Sequence, residues 1–453
     1  MKVKHGILIF LLTVVSILTA DFIVPRDDPV YTFIAVMHNL GYAEEEYFIY
    51  PQYYNGIIAM LEDLRAQDLP SLYKRSADRH YKRLVMEFPE GINSAVYPLK
   101  NIPVSVVNIL RPASKKHLAT YHRNECSLFL SGILGIDYDI RSADDRSDYR
   151  YDYYSWELAG NIKQNFGFYT RYRKGHFKGD LDFILENEQV HWSGSKPRLA
   201  STFSEVDYKN SYLNLSIGFG SFSLGKTITS SLVLNSDITP YGYLKYYKDF
   251  GNFHYLGMNS QLLPDSLTSS SEYSTKSYAL QTIYYSKDAF SIGFGQAVVY
   301  GDRTFDLAYS TPLVVFKIID YKRHARDNQV AFLFSSLRLV PGLVLYENFF
   351  IDDIRKERLI TREWLSYLAS QTGIIYNLPY LPLQITTEAT AVGPGTYGHS
   401  SVYNTQTQYR HDNQLLGYTY GSNLLNLAAE IMFFTAELNV SMKYENIQQG
   451  SIG

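Results

Sequence analysis

The sequence predicts an all-β transmembrane antiparallel β-barrel of about 14 to 18 strands behind a small N-terminal α-helical periplasmic domain. Three observations predict it: an export-like leader, no second apolar run of spanning length, and long tracts of period-two alternation crowded with tyrosine. A chain sent out of the cytoplasm without a spanning helix is either soluble or a closed sheet, because only helices and closed barrels satisfy every backbone polar group in lipid.

The leader comes first. Met1 to His5 is a short basic head, Gly6 to Leu18 an apolar run, and Thr19-Ala20 offers small residues for cleavage before Asp21. That three-part plan is the plan of a secretory signal peptide over residues 1–20, and its apolar run is shorter than the ~20 residues a spanning helix needs. Later, even Leu424 to Phe434 is interrupted by Asn426 and Glu430.

From Pro29 to about Leu84 the apolar residues fall at helical spacing, as in Phe33, Val36, Met37 and Leu40 and again in Ile57, Ile58, Leu61 and Leu64. Gly41, Pro51 and Pro70 divide the stretch into three helices. Pro89, Pro98, Pro103 and Pro112 then oppose a long helix and suggest a linker. The expected division is a periplasmic helical unit and linker over 21–100 and a barrel over 101–453.

After about His122 the period becomes two. Between Trp156 and Tyr172 the even positions are largely apolar and aromatic and the odd ones polar, and Val440, Met442 and Tyr444 alternate with Ser441, Lys443 and Glu445. Leu213, Leu215, Ile217 and Phe219 alternate in the same way. Soluble sandwiches alternate too. The tyrosine clusters at 149–154, 241–247 and 284–285 favour a membrane wall, because such rings form interfacial girdles. Lys174-Gly175, Asp249 to Asn252 and Tyr300 to Asp302 read as turns. The chain ends as a strand entering a turn, which suggests a C-terminal truncation or closure with fewer strands.

Composition excludes some functions. A net charge of -3 over 453 residues supplies no clustered positive field for nucleic acid, and the single Cys126 forms no internal disulfide. Gly220 to Thr227 matches the phosphate-binding loop pattern, but that chemistry needs a following helix, and Ile228 to Asn235 is β-branched and serine-rich. No HExxH, CxxC or EF-hand spacing joins His324, His399, His411, Asp352 and Asp353, so neither a metal nor a cofactor is expected. No GxSxG is present, and no enzymatic activity is expected.

Two stretches resemble the capsule assembly Wzi family of outer-membrane proteins. One runs from Phe294 through Tyr300-Gly301, Asp306 to Pro312 and Asp327-Asn328 to Leu345 through Asp353; the other runs from Thr396-Tyr397-Gly398-His399 through Tyr403-Asn404 to Leu415-Leu416-Gly417 and Gly421. Gln296 stands where the family pattern suggests an acidic residue. The resemblance implies a Gram-negative outer-membrane barrel acting as a surface lectin that helps attach or organise capsular or exopolysaccharide. It implies outer-membrane lipids and polysaccharide export machinery as further partners, and no covalent chemistry.

Loop tyrosines, carboxylates and amides stack on sugar rings and bond hydroxyls, which makes Tyr300, Asp327, Asn328, Asp352, Asp353, Tyr397 and His399 the candidate binding residues. The same residue types also serve as hydrogen-bonding groups of a barrel wall or lumen. Two other functions fit the polar strand faces: a channel for small solutes, and an outer-membrane hydrolase whose site is assembled across strands.

Overall fold

The computed structural model describes residues 23–24, 28–43, 52–87, 117–123, 126–139, 149–162, 165–178, 190–193, 196–210, 212–264, 275–301, 303–323, 327–352, 367–398, 407–435 and 439–450. The leader at 1–20 and the proline-rich stretch at 88–116 lie outside them.

Three helices lead: α1 (Pro29–Leu40), α2 (Tyr54–Ala66) and α3 (Ser71–Glu87). The Asp28 side chain caps α1 by accepting from the Val30 amide at 2.9 Å, with Pro29 in the first turn where its missing N–H costs nothing. Gly41, at φ 89, ends the helix in the left-handed conformation that glycine adopts without strain. Phe33, Ile34, Val36 and Met37 of α1 pack with Ile57, Leu61 and Leu64 of α2 and Tyr73, Ala77 and Leu84 of α3.

The remaining chain is an antiparallel sheet whose strand order closes on itself. Among the described residues the ring holds seventeen strands, from His117–Arg123 to Asn439–Gln449, which are neighbours in it. One of the seventeen is the four-residue Val190–Ser193, which pairs with Lys196–Lys209. Closure leaves no open edge to pair with another chain.

The wall alternates as the sequence predicts, with apolar residues outward. Val440 and Tyr444 are exposed on the last strand, as are Leu425, Leu427 and Ile431 on its neighbour, Leu424–Phe434. The run from Trp156 to Tyr172 keeps its even-numbered apolar face across two paired strands, Tyr149–Ile162 and Phe166–Lys178, with Ile162 opposite Phe166. Two local expectations need correction. Lys174-Gly175 sits inside the second of those strands. Tyr241, Tyr243 and Tyr284 are buried on the inner face, where the pleat turns them from the expected girdle, while Tyr154, Trp156, Tyr172 and Tyr444 are exposed on the outside.

Close packing between strands depends on glycine. A Cβ on Gly373 would lie 2.1 Å from the ring of Tyr346 on the adjacent strand, so the tyrosine crosses its neighbour only because that side chain is missing.

The helical unit sits at the end of the barrel that carries the short turns. Gly342 donates to the Asn39 carbonyl at 2.8 Å, and the Tyr73 hydroxyl lies 2.5 and 2.6 Å from the carbonyls of Leu378 and Leu381. Phe129 and Phe434, on inner strand positions, belong to the same apolar cluster as the helices. At the opposite end, the connection between Phe290–Gly301 and Asn328–Val340 forms two short helices, α4 (Leu307–Ser310) and α5 (Phe316–Arg323).

Candidate functional site

The inside of the barrel is organised by residues 221–240, which follow the strand Asn214–Gly220 and contain neither helix nor strand. The phosphate-loop pattern therefore ends in an irregular segment folded into the lumen. Leu232, Val233 and Leu234 are buried there among Phe332, Phe334, Phe350 and Leu416. Buried irregular backbone needs partners for its amides and carbonyls. Tyrosine supplies several: Tyr397 donates to the Leu232 carbonyl at 2.7 Å and Tyr409 to that of Val233 at 2.9 Å. Asn235 donates its amide to the Leu416 carbonyl at 2.7 Å. Burial pushes the Tyr397 and Tyr409 phenols up, which keeps both protonated as donors.

The wall contributes a second set of bonds. Glu388 accepts from the Tyr346 hydroxyl at 2.6 Å, from the Ile228 amide at 3.1 Å, from Gln371 at 3.2 Å and from the Thr229 hydroxyl. Gln371 also donates to the Ser230 carbonyl at 3.0 Å, and Asn348 to that of Lys226 at 2.7 Å. On the wall beside Phe222, Lys245 pairs with Glu205 at 3.0 Å, and Tyr243 donates to the same carboxylate. Each carboxylate is thus buried with several donors, the condition under which a charge is tolerated in low dielectric.

The lumen is less filled beside the last strand. Tyr420, 41 % exposed, donates to Glu445 at 2.6 Å, and Lys443 pairs with the same carboxylate at 3.0 Å. Tyr418 stands edge-on to Tyr420 with ring centroids 5.7 Å apart and is held by Asn426 at 2.7 Å. This places an exposed aromatic ring and an exposed base side by side on the inner surface, joined through a largely buried acid. Such a set stacks on the apolar face of a sugar ring and bonds its hydroxyls.

The residues predicted from sequence fall into two groups. Tyr300, Asp327 and Asn328 lie together near α4 and α5, where Asp327 accepts from Arg303 at 2.5 Å and Tyr309 at 2.6 Å, and the Tyr300 and Tyr309 rings lie 5.2 Å apart. Asp352 and Tyr397 lie in the lumen, with the Tyr397 amide donating to Asp352 at 2.8 Å. All five are buried. Asp353 and His399 fall outside the described residues. Sequence reasoning missed Glu388, Tyr418, Tyr420 and Glu445. Tyr418 and Tyr420 sit between Gly417 and Gly421, a stretch read only for its glycines, and no spacing joins them to Glu445. Among the described residues no three His, Cys, Asp or Glu side chains converge as metal ligands.

A closed antiparallel wall, outward apolar residues and a lumen filled by folded chain define the class: the fold is that of an outer-membrane β-barrel. Among solved structures the chain is similar to Wzi of Escherichia coli, described as an outer-membrane protein involved in group 1 capsule assembly and a carbohydrate-binding β-barrel. The TM-score is 0.58 at 12% identity, over 95% of this chain and 86% of that one. OprB of Pseudomonas putida is more distant, with TM-score 0.41 at 11% identity over 71% of this chain and 89% of that one. No family model matches the sequence, and no curated protein matches it.

Proposed function

We propose that the protein is a Wzi-like lectin of the Gram-negative outer membrane that binds capsular or exopolysaccharide and helps attach or organise it at the cell surface. The observation that carries this reading is the pair of exposed side chains Tyr420 and Lys443 gathered on the largely buried carboxylate of Glu445, beside a lumen otherwise occupied by folded chain. The likeness in fold to a carbohydrate-binding barrel supports it. In this reading residues 1–20 are a signal peptide, the helical unit within 21–100 stays periplasmic, the barrel within 101–453 spans the membrane, and polysaccharide export machinery is a partner. No covalent chemistry is required.

Tyr397 and Asp352 then act by holding the folded segment behind Tyr420. Tyr300, Asp327 and Asn328 order the connection containing α4 and α5, while Asp353 and His399 are candidate polysaccharide-binding residues on the sequence resemblance alone. The test is binding of purified capsular polysaccharides to the detergent-folded protein and to Tyr420→Ala and Glu445→Gln. Loss of at least tenfold in affinity with an unchanged heat-modifiable gel shift supports the proposal; polysaccharide binding that neither change weakens sinks this site.

A channel for small solutes is the second reading, favoured by the exposed Ser441 and Lys443 on the inner face of the last strand. Planar-bilayer conductance separates the two: steady ohmic current in the unmodified protein favours passage, and silence favours a filled lumen.

A further inference from the structure

The connection that carries α4 and α5 lies on the outside of the barrel. Strand parity settles this: Leu280 and Ala297 pack into the lumen core, so their neighbours Gln281 and Gln296, paired across two strands, face outward. Those two glutamines hold the connection. Gln281 accepts from the Leu313 amide at 2.9 Å and donates to the Val314 carbonyl; Gln296 donates to the same carbonyl at 2.7 Å and accepts from the Phe316 amide at 2.9 Å. Tyr246, also outward, donates to the Ser310 carbonyl at 2.9 Å. Tyr309, Phe316 and Ile319 pack beneath against Ala279, Val298 and Tyr300.

The position is unusual for a loop. Gln296 lies five residues below the strand end at Gly301, about 16 Å along the strand at ~3.3 Å per residue. Irregular backbone at that depth on a lipid-facing wall survives only if the protein satisfies its polar groups. The outward amides of Gln281 and Gln296 do this for Leu313, Val314 and Phe316. A water-exposed loop has no such need.

The other face of the connection is apolar. Leu307 is 75% exposed, Tyr321 76% and Ile318 58%, with Phe305, Leu313 and Val315 also open. It continues the exposed wall at Ile283, Ile292 and Phe294. Lys317, Lys322 and Arg323 are exposed on α5, with Lys317 paired to Asp320 at 3.6 Å and Arg323 to Asp306. An amphipathic element with apolar residues outward and basic residues along it is built for a membrane interface.

We propose that Arg303 to Arg323 is an interfacial anchor: its outward face is embedded in the membrane leaflet on the long-loop side, with Leu307, Ile318 and Tyr321 among acyl chains and Lys322 on anionic phosphate headgroups. This rests on the outer-membrane reading above, and the test separates the two. In a Cys126→Ser background, single nitroxide labels are placed through Leu307→Cys, Ile318→Cys and, as a wall control, Phe294→Cys. The folded protein is reconstituted in phosphatidylcholine vesicles containing phosphatidylglycerol, with gel mobility confirming the fold.

Collision with oxygen, which concentrates in lipid, is compared with collision with a water-soluble nickel chelate. The proposal expects oxygen to exceed nickel several-fold at all three positions. Lipid contact at 294 with nickel dominant at 307 and 318 overturns the anchor and leaves a loop facing water. Lipid contact at 294 with both reagents excluded at 307 and 318 overturns it in favour of a protein partner or second copy. Nickel dominant at 294 as well overturns the membrane reading itself, and the anchor with it.

Discussion

The Tyr397 hydroxyl donates to the Leu232 carbonyl at 2.7 Å and accepts the Tyr418 amide at 3.2 Å, so one phenol joins two segments that approach each other only inside the barrel. Tyr397 is also one of the residues held at positive φ, 65°, a conformation that packing against Phe350 and Tyr409 must maintain. Removing the hydroxyl leaves a buried carbonyl and a buried amide without this partner. Tyr397→Phe is expected to cost about 1–3 kcal/mol and to loosen residues 221–240 before the wall. Hydrogen exchange resolved by segment checks it: faster exchange around Leu232 with strand amides unchanged is the expected outcome, and uniform protection counts against it.

Glu388 gathers donors from the wall and from the lumen segment. Glu388→Leu strands the Tyr346 hydroxyl and the Ile228 amide together and is expected to destabilise the barrel by roughly 3 kcal/mol or more. Glu388→Gln, which retains one acceptor, should cost less. Urea titration followed by gel mobility ranks the two, and equal midpoints would show that the carboxylate is not the organising group.

Gly373→Ala tests the crossing of Tyr346 over its neighbour. With 2.1 Å between the added Cβ and the ring, the ring must move and its bond to Glu388 stretches. The expected loss is about 1–3 kcal/mol, and Tyr346→Phe in the Gly373→Ala background should add less than it does alone, since coupled neighbours are not additive. Simple additivity in a double-mutant cycle would refute the coupling.

The helical unit should lose stability in acid. His80 is buried against Phe33, with ring centroids 5.0 Å apart; burial pushes its imidazole down to about 3, the nearby Arg83 charge acts in the same direction, and Asp28 opposes. The folded form therefore takes up this proton less readily than the unfolded chain, whose value is 6.5. Its contribution is fully present above that value and is lost progressively as pH falls from there towards 3, on the order of 1 kcal/mol per pH unit. Burial alone would raise the Asp28 carboxyl, but the charge and hydrogen bonds of Arg83 outweigh it and hold it below 3.8, so its contribution is lost at still lower pH. Thermal melts of the helical unit between pH 7 and pH 4 should show the decline, and His80→Phe should flatten it. A pH-independent midpoint in the unmodified protein would remove the argument.

The wall was readable because burial on one face and lipid on the other impose period two locally: Val440, Met442 and Tyr444 announce an outward face with no knowledge of partners. The helices were readable for the same reason, since Pro29 and Gly41 act on their own turn. The tyrosines illustrate where local reading stops. Tyr241 and Tyr154 are alike as residues, and only strand parity against the folded lumen puts one inside and the other outside.

The sequence by itself determined the alternation, the helix limits, the charge balance that leaves no basic field and the absence of a motif for metal or nucleophile. Tertiary structure alone decided that residues 221–240 fill the lumen, that Tyr420 meets Glu445, and that Gln281 and Gln296 face outward to hold a connection against the wall. The physical reason is range: periodicity and capping act over a few residues, whereas these contacts join positions far apart in the chain and exist only once the strand ring has closed.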